Sequence, residues 1–306
     1  MKYGYSLVAS LLVLGLQPSG AFTSLPQKRA EVSKIGRITP SISSPIVSYN
    51  DNNKSASGLI LASSENSNEA SESSWAFNPL YASLWLGFLG FAAAGPGDFF
   101  SPADTAMITS YIENPSDPGF AEGFQLVFNY LGLLPIIIAC TAVPQASQRG
   151  LPPLPFLVAS FGAGYAGVGP YLSFRAPPRE EFIPSEAGWF TRNVLESKLL
   201  GWGVVAGALF LPIYVGFADA LLTDASAAVQ SYADLFSASK FVSASSMDLL
   251  ILNIVAATLI PRDLKLRLPD IDEQKARLIG ASTLLVPVVG AALYCALRPA
   301  LPANED

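Results

Sequence analysis

The apolar run FVSASSMDLLILNIVAATLI, residues 241–260, is the decisive stretch for predicting the fold. About twenty helical residues rise roughly 30 Å, which is the thickness of the hydrocarbon core of a bilayer. This apolar stretch nevertheless holds a carboxylic acid, Asp248, and an amide, Asn253. A charge at the centre of a spanning helix costs roughly 2.5–3.5 kcal/mol on insertion scales, so such a side chain normally faces protein or a wet cavity. We therefore expect residues 241–260 to form a membrane helix that other helices surround.

The composition of the whole chain also indicates a membrane protein. Of its 306 residues, 51% are hydrophobic and only 14% are charged, whereas charged residues make up about 25% of a typical soluble domain. The net charge of −6 and the lack of a basic patch argue against nucleic acid as a partner. Because the chain has no histidine, His-based zinc sites and Ser-His-Asp triads are excluded, and we expect no metal site.

Five more apolar blocks of similar length lie between residues 75 and 306. They are residues 76–95, 124–143, 155–174, 199–218 and 278–297. None shows the alternation of a barrel strand, and without a closed barrel only helices satisfy every backbone group in lipid. The sequence therefore predicts an all-α fold, a polytopic bundle of about six transmembrane helices over residues 75–306. The excess of Lys and Arg after the third and fifth blocks predicts that both termini lie on the opposite side of the membrane.

The first 74 residues are typical of targeting segments. Residues 1–21 combine Lys2, a short apolar core and small residues before position 22, which is the pattern of a secretory signal peptide. Residues 22–74 begin basic, Ser-rich and poor in acids, as a transit peptide does, and continue as a Ser/Asn/Glu-rich spacer. We expect the spacer to be disordered, because it has too few apolar residues to form a core.

The junction Ser19-Gly20-Ala21-Phe22 resembles the bipartite presequence of plastid proteins in diatoms and related algae. In that family a phenylalanine directly after the signal peptide is diagnostic. The resemblance implies that the protein enters a plastid and resides in a plastid membrane. The alternative is a secreted or endomembrane protein with a disordered spacer.

Asp248 is the sharpest candidate for a functional residue. As a buried acid it could donate a proton or hold a cation. The structural alternative is a hydrogen bond or an ion pair that fixes its helix to a neighbour. Lys240, Arg149 and Arg298 lie on the same predicted side of the membrane and have side chains long enough to reach it.

Other polar side chains within the apolar blocks are Asn129, Asn253, Cys140 and Cys295. Six alternating spans would place both asparagines in the same half of the membrane, where they can form hydrogen bonds between helices. The two cysteines fall toward the other side. We expect either a disulfide between them or two inert thiols that pack in the core.

Small residues mark places where helices are expected to approach closely. Residues 162–167 spell GxGxxG, but a dinucleotide site needs a strand before the motif, and here the glycines stand inside an apolar block. We interpret them as packing residues instead. The residues expected at such contacts are Ala159, Ala163, Gly167, Gly203 and Gly207.

The most charged part of the chain follows the decisive stretch, at residues 261–277. Such a run is usually a solvated loop. The alternative is a docking surface for a protein partner or for lipid headgroups.

Residues 124–299 resemble an uncharacterised family of multipass proteins from cyanobacteria and chloroplasts. The matching stretches are FNYLG at 128–132 with Pro135, the segment 155–172, SMDL at 246–249, and residues 287–299. That family usually has a histidine where this chain has Ser243. The resemblance implies a photosynthetic membrane, the thylakoid rather than the envelope, and brings no established activity.

The helix with Asp248 and the charged segment after it are also similar, over a shorter length, to the plant membrane protein required for neoxanthin synthesis. This similarity implies an enzyme in which Asp248 protonates a carotenoid epoxide.

Three hypotheses about function follow. The first is an assembly or scaffold component of a photosynthetic membrane complex, because no catalytic constellation is evident. The second is the carotenoid-modifying enzyme, and the third is a small-solute transporter. The expected partners are the lipid bilayer and such a complex. No cofactor motif is evident. The first two hypotheses are compatible with a bound carotenoid or chlorophyll.

Overall fold

Ten α-helices build the part of the protein that a computed structural model describes, namely residues 76–98, 101–115, 119–147, 150–179, 181–184 and 187–302. The predicted signal peptide, the predicted transit peptide with its spacer, and Arg149 lie outside these residues. The helices are α1 (Pro79–Ala94), α2 (Pro102–Glu113), α3 (Glu122–Ala142), α4 (Pro153–Ala163), α5 (Tyr165–Phe174), α6 (Lys198–Tyr214), α7 (Phe217–Ala238), α8 (Lys240–Arg267), α9 (Glu273–Ser282) and α10 (Val289–Leu297).

A π-helical segment, Thr191–Leu195, precedes α6, and a 3₁₀ turn, Thr283–Leu285, follows α9. The described residues contain no β-strand, only an isolated bridge between Asp98 and Ser239. The predicted all-α fold class is therefore confirmed.

Helix α8 is the centre of the molecule, and α1, α3, α5, α7 and α9 all pack against it. It contains the whole decisive stretch but continues through Pro261 to Arg267, so its 28 residues extend about 42 Å. Val242, Leu252 and Ile260, which are spread along this length, are all fully buried. Most side chains of α8 are buried in this way, although Leu250 is 54% exposed. Burial on more than one side explains why the stretch is largely apolar rather than amphipathic.

Helices α3 and α8 run parallel to each other. At one end the rings of Phe124 and Phe241 lie 5.5 Å apart. At the other end the side-chain amide of Gln145 donates to the backbone carbonyl of Leu259 at 3.0 Å. Six alternating spans would make the second and fifth apolar blocks antiparallel. The antiparallel course implied by six alternating spans is therefore wrong for these two helices, because not every block between them crosses the bundle completely.

Two described helices, α3 and α8, are long and apolar enough to cross a membrane. Helices α6 and α7 meet at a bend of 51° and count as a third span if the pair is taken together. The helix in the first block, α1, has only 16 residues. The third block breaks at Gly164 and the sixth at Val288. Two or three candidate spans thus stand where six uninterrupted ones were predicted.

Candidate functional site: the polar side chains of the central helix

The break in the third apolar block occurs at Gly164. Its backbone has φ +54° and ψ −131°, a conformation that residues with a Cβ rarely adopt. The chain turns there, and α4 and α5 pack against each other. A Cβ added to Gly167 would lie 2.7 Å from the carbonyl carbon of Ala159. Residues 159–167 therefore form a tight hairpin of two short helices.

This hairpin corrects the predicted packing surface. Ala159 and Ala163 belong to α4, whereas Gly167 belongs to α5, so the three do not share one face of one helix. The close approach occurs between the two arms of the hairpin instead. Residues 162–167 contain the turn of the hairpin.

The side chain of Asp248, on the central helix α8, binds the backbone at this break. One carboxylate oxygen accepts a hydrogen bond from the backbone N–H of Tyr165, the first residue of α5, at 2.7 Å. The side chain is buried, and a Cβ on Gly164 would lie 1.5 Å from its other oxygen. The first N–H groups of a helix have no partner within that helix and carry partial positive charge. Asp248 therefore acts as an N-terminal cap supplied by a different helix.

The two described cations that were predicted to pair with Asp248 have other partners. Lys240 donates to the backbone carbonyls of Gly95 and Ala93, where α1 ends. Arg298 contacts Glu196 and Asp263 at the opposite end of α8. The ion pairs found among the described residues do not include Asp248. The predicted ion pair with Lys240 or Arg298 is thus replaced by a bond to a helix terminus.

Asn253 caps the break in the sixth apolar block, as Asp248 caps the break in the third. That block breaks at Val288, which has φ +65°. The side-chain oxygen of Asn253 accepts the backbone N–H of Val288 at 2.6 Å, and its amide group donates to the carbonyl of Leu249 at 2.7 Å. Two polar side chains of α8 thus satisfy backbone groups that the breaks in neighbouring blocks leave free.

Asn129 lies in a different part of the bundle. Its side-chain oxygen accepts a hydrogen bond from the Tyr111 hydroxyl at 3.1 Å, and its amide group donates to the carbonyl of Gln125. It therefore links α3 to α2. Because α3 and α8 are parallel, Asn129 lies near the end of the pair marked by Phe124 and Phe241. Asn253 lies nearer the end where Gln145 contacts Leu259. The two asparagines therefore lie at different levels along this helix pair, whereas six alternating spans would place them at a similar level.

The predicted glycine contact on α6 also moves along the helix. A Cβ on Gly203 would meet nothing within 4 Å, and one on Gly207 would make an ordinary contact with Leu133 at 3.7 Å. The tight contact lies two residues before Gly203, at Gly201, where a Cβ would lie 2.8 Å from the Cα of Ala296. Gly201 was missed because its partner is on α10, far away in sequence.

A buried acid that the sequence did not single out, Asp104, caps the beginning of α8. Its carboxylate accepts the Ser239 hydroxyl at 2.5 Å and the backbone N–H of Phe241 at 3.2 Å. Asp104 lies in α2, between the first two apolar blocks. Ser243, the position of the usual histidine in the resembling family, donates to the carbonyl of Pro96 at 3.1 Å.

The other end of α8 carries a cluster of four charges, which we call the ion cluster: Glu196, Asp263, Arg267 and Arg298. Arg267 binds both oxygens of Glu196, at 2.7 and 2.8 Å, and lies 2.9 Å from Asp263. The side chains of Asp263 and Arg267 have no exposed surface. The charged run was expected to be a solvated loop, and this is wrong for its first part, which is helical and buried.

Arg298 joins this cluster from the C-terminal end of α10. Its guanidinium reaches Glu196 at 2.9 Å and donates to the backbone carbonyls of Leu195 and Cys140. Burial is the largest single influence and lowers the pKa of Arg298, but Asp263, Cys295 and Glu196 together outweigh it, so the pKa is raised. The cluster contains two carboxylates and two guanidiniums, so it is neutral as a unit. The spacing of Asp263 and Arg267, four residues apart on a helix, was the one signal in the sequence that could have revealed it.

Cys140 and Cys295 come together beside the ion cluster. Both are buried free thiols, close enough to influence each other's ionisation. Cys140 also points to the carbonyl of Leu195 at 3.7 Å. The structure therefore has two packed thiols at this place and no disulfide between these two residues.

Two cavities open near this same end of the bundle. One of about 360 Å³ is bordered by Glu196, Lys198 and Arg298, and one of about 450 Å³ lies between the end of α3 and the start of α4. Neither of these two cavities includes Asp248. Within the described ranges, no three Cys, Asp or Glu side chains are grouped so that they could hold a metal ion.

In comparisons with known proteins, no protein-family model matches the chain, and no curated protein or solved structure is detectably similar to it.

Proposed function

We propose that this protein is an integral membrane protein of a plastid, in the thylakoid rather than the envelope, and that it serves as an assembly or scaffold component of a photosynthetic membrane complex. The proposal rests chiefly on one observation. The polar side chains of α8 that could have carried chemistry, Asp248 and Asn253, are both used to cap broken helices. These two polar side chains thus have a structural role in the interior of the bundle.

The outer surface of the bundle supports the same proposal. Helices α1, α4 and α6 carry large apolar side chains that stay exposed, among them Leu86, Val158 and Ile213. In a bilayer such side chains contact lipid or the helices of a partner. The short helix α4, with 11 residues, covers only about half of a bilayer. A scaffold needs this kind of uneven apolar outline, because a partner helix can fill the space beside a short segment.

The placement in a plastid is supported by the sequence alone. The junction at Ala21-Phe22 resembles an algal plastid presequence, and residues 124–299 resemble multipass proteins of cyanobacteria and chloroplasts.

The test is a knockout strain examined for complexes and pigments. We expect reduced amounts of one pigment–protein complex on native gels, with unchanged ratios of the pigments, and restoration by the full-length gene. Normal complexes in the knockout would overturn the scaffold. An accumulating epoxide or a missing end product would favour the carotenoid-modifying enzyme, with Asp248 as its proton donor.

Transport of a small solute is a second candidate, and the broken helices favour it. In secondary transporters, discontinuous helices near the membrane midplane offer their free termini to ions and substrates. Here the breaks at Gly164 and Val288 both face α8, and both free termini are covered by its side chains. A transported cation or proton would have to compete for Asp248. Flux of a solute into liposomes that contain the purified protein, abolished by Asp248→Asn, would establish this candidate.

A further inference from the structure

We propose that the cavity of about 360 Å³ beside the ion cluster is a binding site for a phosphate group, belonging either to a lipid headgroup or to a free phosphate compound. The cavity lies where α6 begins and α10 ends. It borders the ion cluster but is distinct from the capping sites at Gly164 and Val288. The inference does not depend on the scaffold function.

The charges around the cavity favour an anion. Its described lining includes three cations, Arg192, Lys198 and Arg298, and a single carboxylate, Glu196. The lining therefore has a net charge of +2 from three positive and one negative group, although the whole chain has a net charge of −6. A concave site lined mainly by one sign of charge concentrates ions of the opposite sign.

The single carboxylate cannot neutralise these cations. Both oxygens of Glu196 are bound by Arg267 from the protein side, and one of them also by Arg298. The ion cluster is already neutral as a unit, so Arg192 and Lys198 remain as additional positive charges.

Lys198 and Arg192 also keep hydrogen-bond donors for a ligand. The ammonium group of Lys198 donates to the carbonyls of Ala296 at 3.1 Å and Arg298 at 2.6 Å, which uses two of its three N–H groups. Arg192 donates to the carbonyl of Pro184 through one nitrogen, and a guanidinium has five N–H groups. Carbonyls accept these bonds without cancelling the charge. Both residues are exposed, so a ligand can reach them from outside.

The start of α6 adds a third favourable feature. Its N-cap residue, Ser197, makes no side-chain capping bond, so the first N–H groups of α6 lack the usual side-chain acceptor. These groups and the helix dipole attract anions. An ammonium, a guanidinium fork and a helix start are the groups that proteins commonly combine to bind phosphate. The volume is also within the range of small-ligand sites, about 300–1,000 Å³.

The experiment uses the purified full-length chain in detergent, with thermal unfolding as the measurement. Sodium phosphate is titrated against sodium chloride at constant ionic strength in one arm. In the other arm, phosphatidylglycerol is compared with phosphatidylcholine in mixed micelles. The variants are Arg192→Gln and Lys198→Gln, and the matched control is Arg277→Gln, which removes the same charge from an exposed side chain of α9.

We expect saturable stabilisation by a phosphate-bearing probe and an apparent affinity about ten-fold weaker in Arg192→Gln and Lys198→Gln, with no change in Arg277→Gln. Stabilisation by sodium phosphate identifies a soluble phosphate compound as the ligand class, whereas stabilisation by phosphatidylglycerol alone identifies a lipid headgroup. If Lys198→Gln does not fold, Arg192→Gln decides, because its side chain is exposed. No saturable effect of either probe, or equal weakening in the control, would overturn the proposal.

Discussion

The carboxylate of Asp248 takes the place of the backbone carbonyl that would normally accept a hydrogen bond from an N–H inside a helix. It accepts the first free N–H of α5 at a break where no local residue does so. Asp248→Asn keeps an oxygen that can accept this bond, so we expect a loss of stability below about 1 kcal/mol, due mainly to the helix dipole. Asp248→Ala leaves a buried N–H without a partner and should cost about 1–3 kcal/mol.

Thermal unfolding of the two variants in detergent distinguishes these cases. Equal destabilisation by Asp248→Asn and Asp248→Ala would contradict the capping role. A fully stable Asp248→Asn protein that shows the complete knockout phenotype would instead assign a proton-donating role to Asp248.

Gly164 offers a test of the turn itself. Gly164→Ala places a methyl group 1.5 Å from a carboxylate oxygen of Asp248 and forces a Cβ into a φ of +54°. We expect strong destabilisation, by more than about 3 kcal/mol, because both backbone strain and a steric clash oppose folding. Gly162→Ala is the matched control, since its Cβ would meet nothing within 4 Å. Yield of monodisperse protein is the measurement, and similar yields for both variants would contradict this turn geometry.

At the scale of the element, α8 ends differently from what its sequence indicates. The apolar stretch stops at Ile260, yet the helix continues for another two turns. There Arg267 pairs with Glu196 and Asp263 pairs with Arg298, both from other segments. Arg267→Gln leaves Asp263 and Glu196 with less positive charge in a buried place. We expect a loss of about 3–5 kcal/mol.

The control for this prediction is Arg277→Gln. Arg277 pairs with Glu273, but its side chain is 72% exposed, and exposed pairs contribute about 0–1 kcal/mol. Chemical denaturation of both variants in the same detergent gives the comparison. A small loss for Arg267→Gln, comparable to the control, would show that the ion cluster is solvated rather than buried.

At the scale of the whole molecule, the parallel arrangement of α3 and α8 fixes a topology. The segments after α3 and after α8 must lie on one side, and the turn between α7 and α8 on the other. We expect Leu151→Cys and Asp270→Cys to be labelled by an impermeant thiol reagent from the same side, and Ser237→Cys from the opposite side. All three positions are exposed in the native chain. Opposite labelling of positions 151 and 270 would restore six alternating spans.

Targeting is a property of the whole chain as well. A fusion of residues 1–74 to a fluorescent protein should enter the plastid, and Phe22→Ala should leave it in the secretory route, because the resemblance to algal presequences depends on that aromatic side chain. Microscopy in a diatom is the measurement. If Phe22→Ala does not affect import, the presequence no longer supports a plastid location of the algal type.

The amino-acid sequence was enough to predict that this protein is helical and that residues 241–260 form its centre. Hydrophobic clustering alone carries this information, because burial of apolar surface depends on composition and spacing. It also singled out Asp248 and Asn253 as exceptional, since polar groups inside an apolar helix need partners.

The partners of these two side chains could be identified only from the tertiary structure. The N–H groups of Tyr165 and Val288 become free because their own blocks break, and each is accepted by a polar side chain of α8. The number of full spans, the parallel course of α3 and α8, and the burial of the ion cluster follow from the same contacts. Apart from the Asp263–Arg267 pair, which is local, these contacts join residues far apart in the chain, so the local sequence pattern does not predict them.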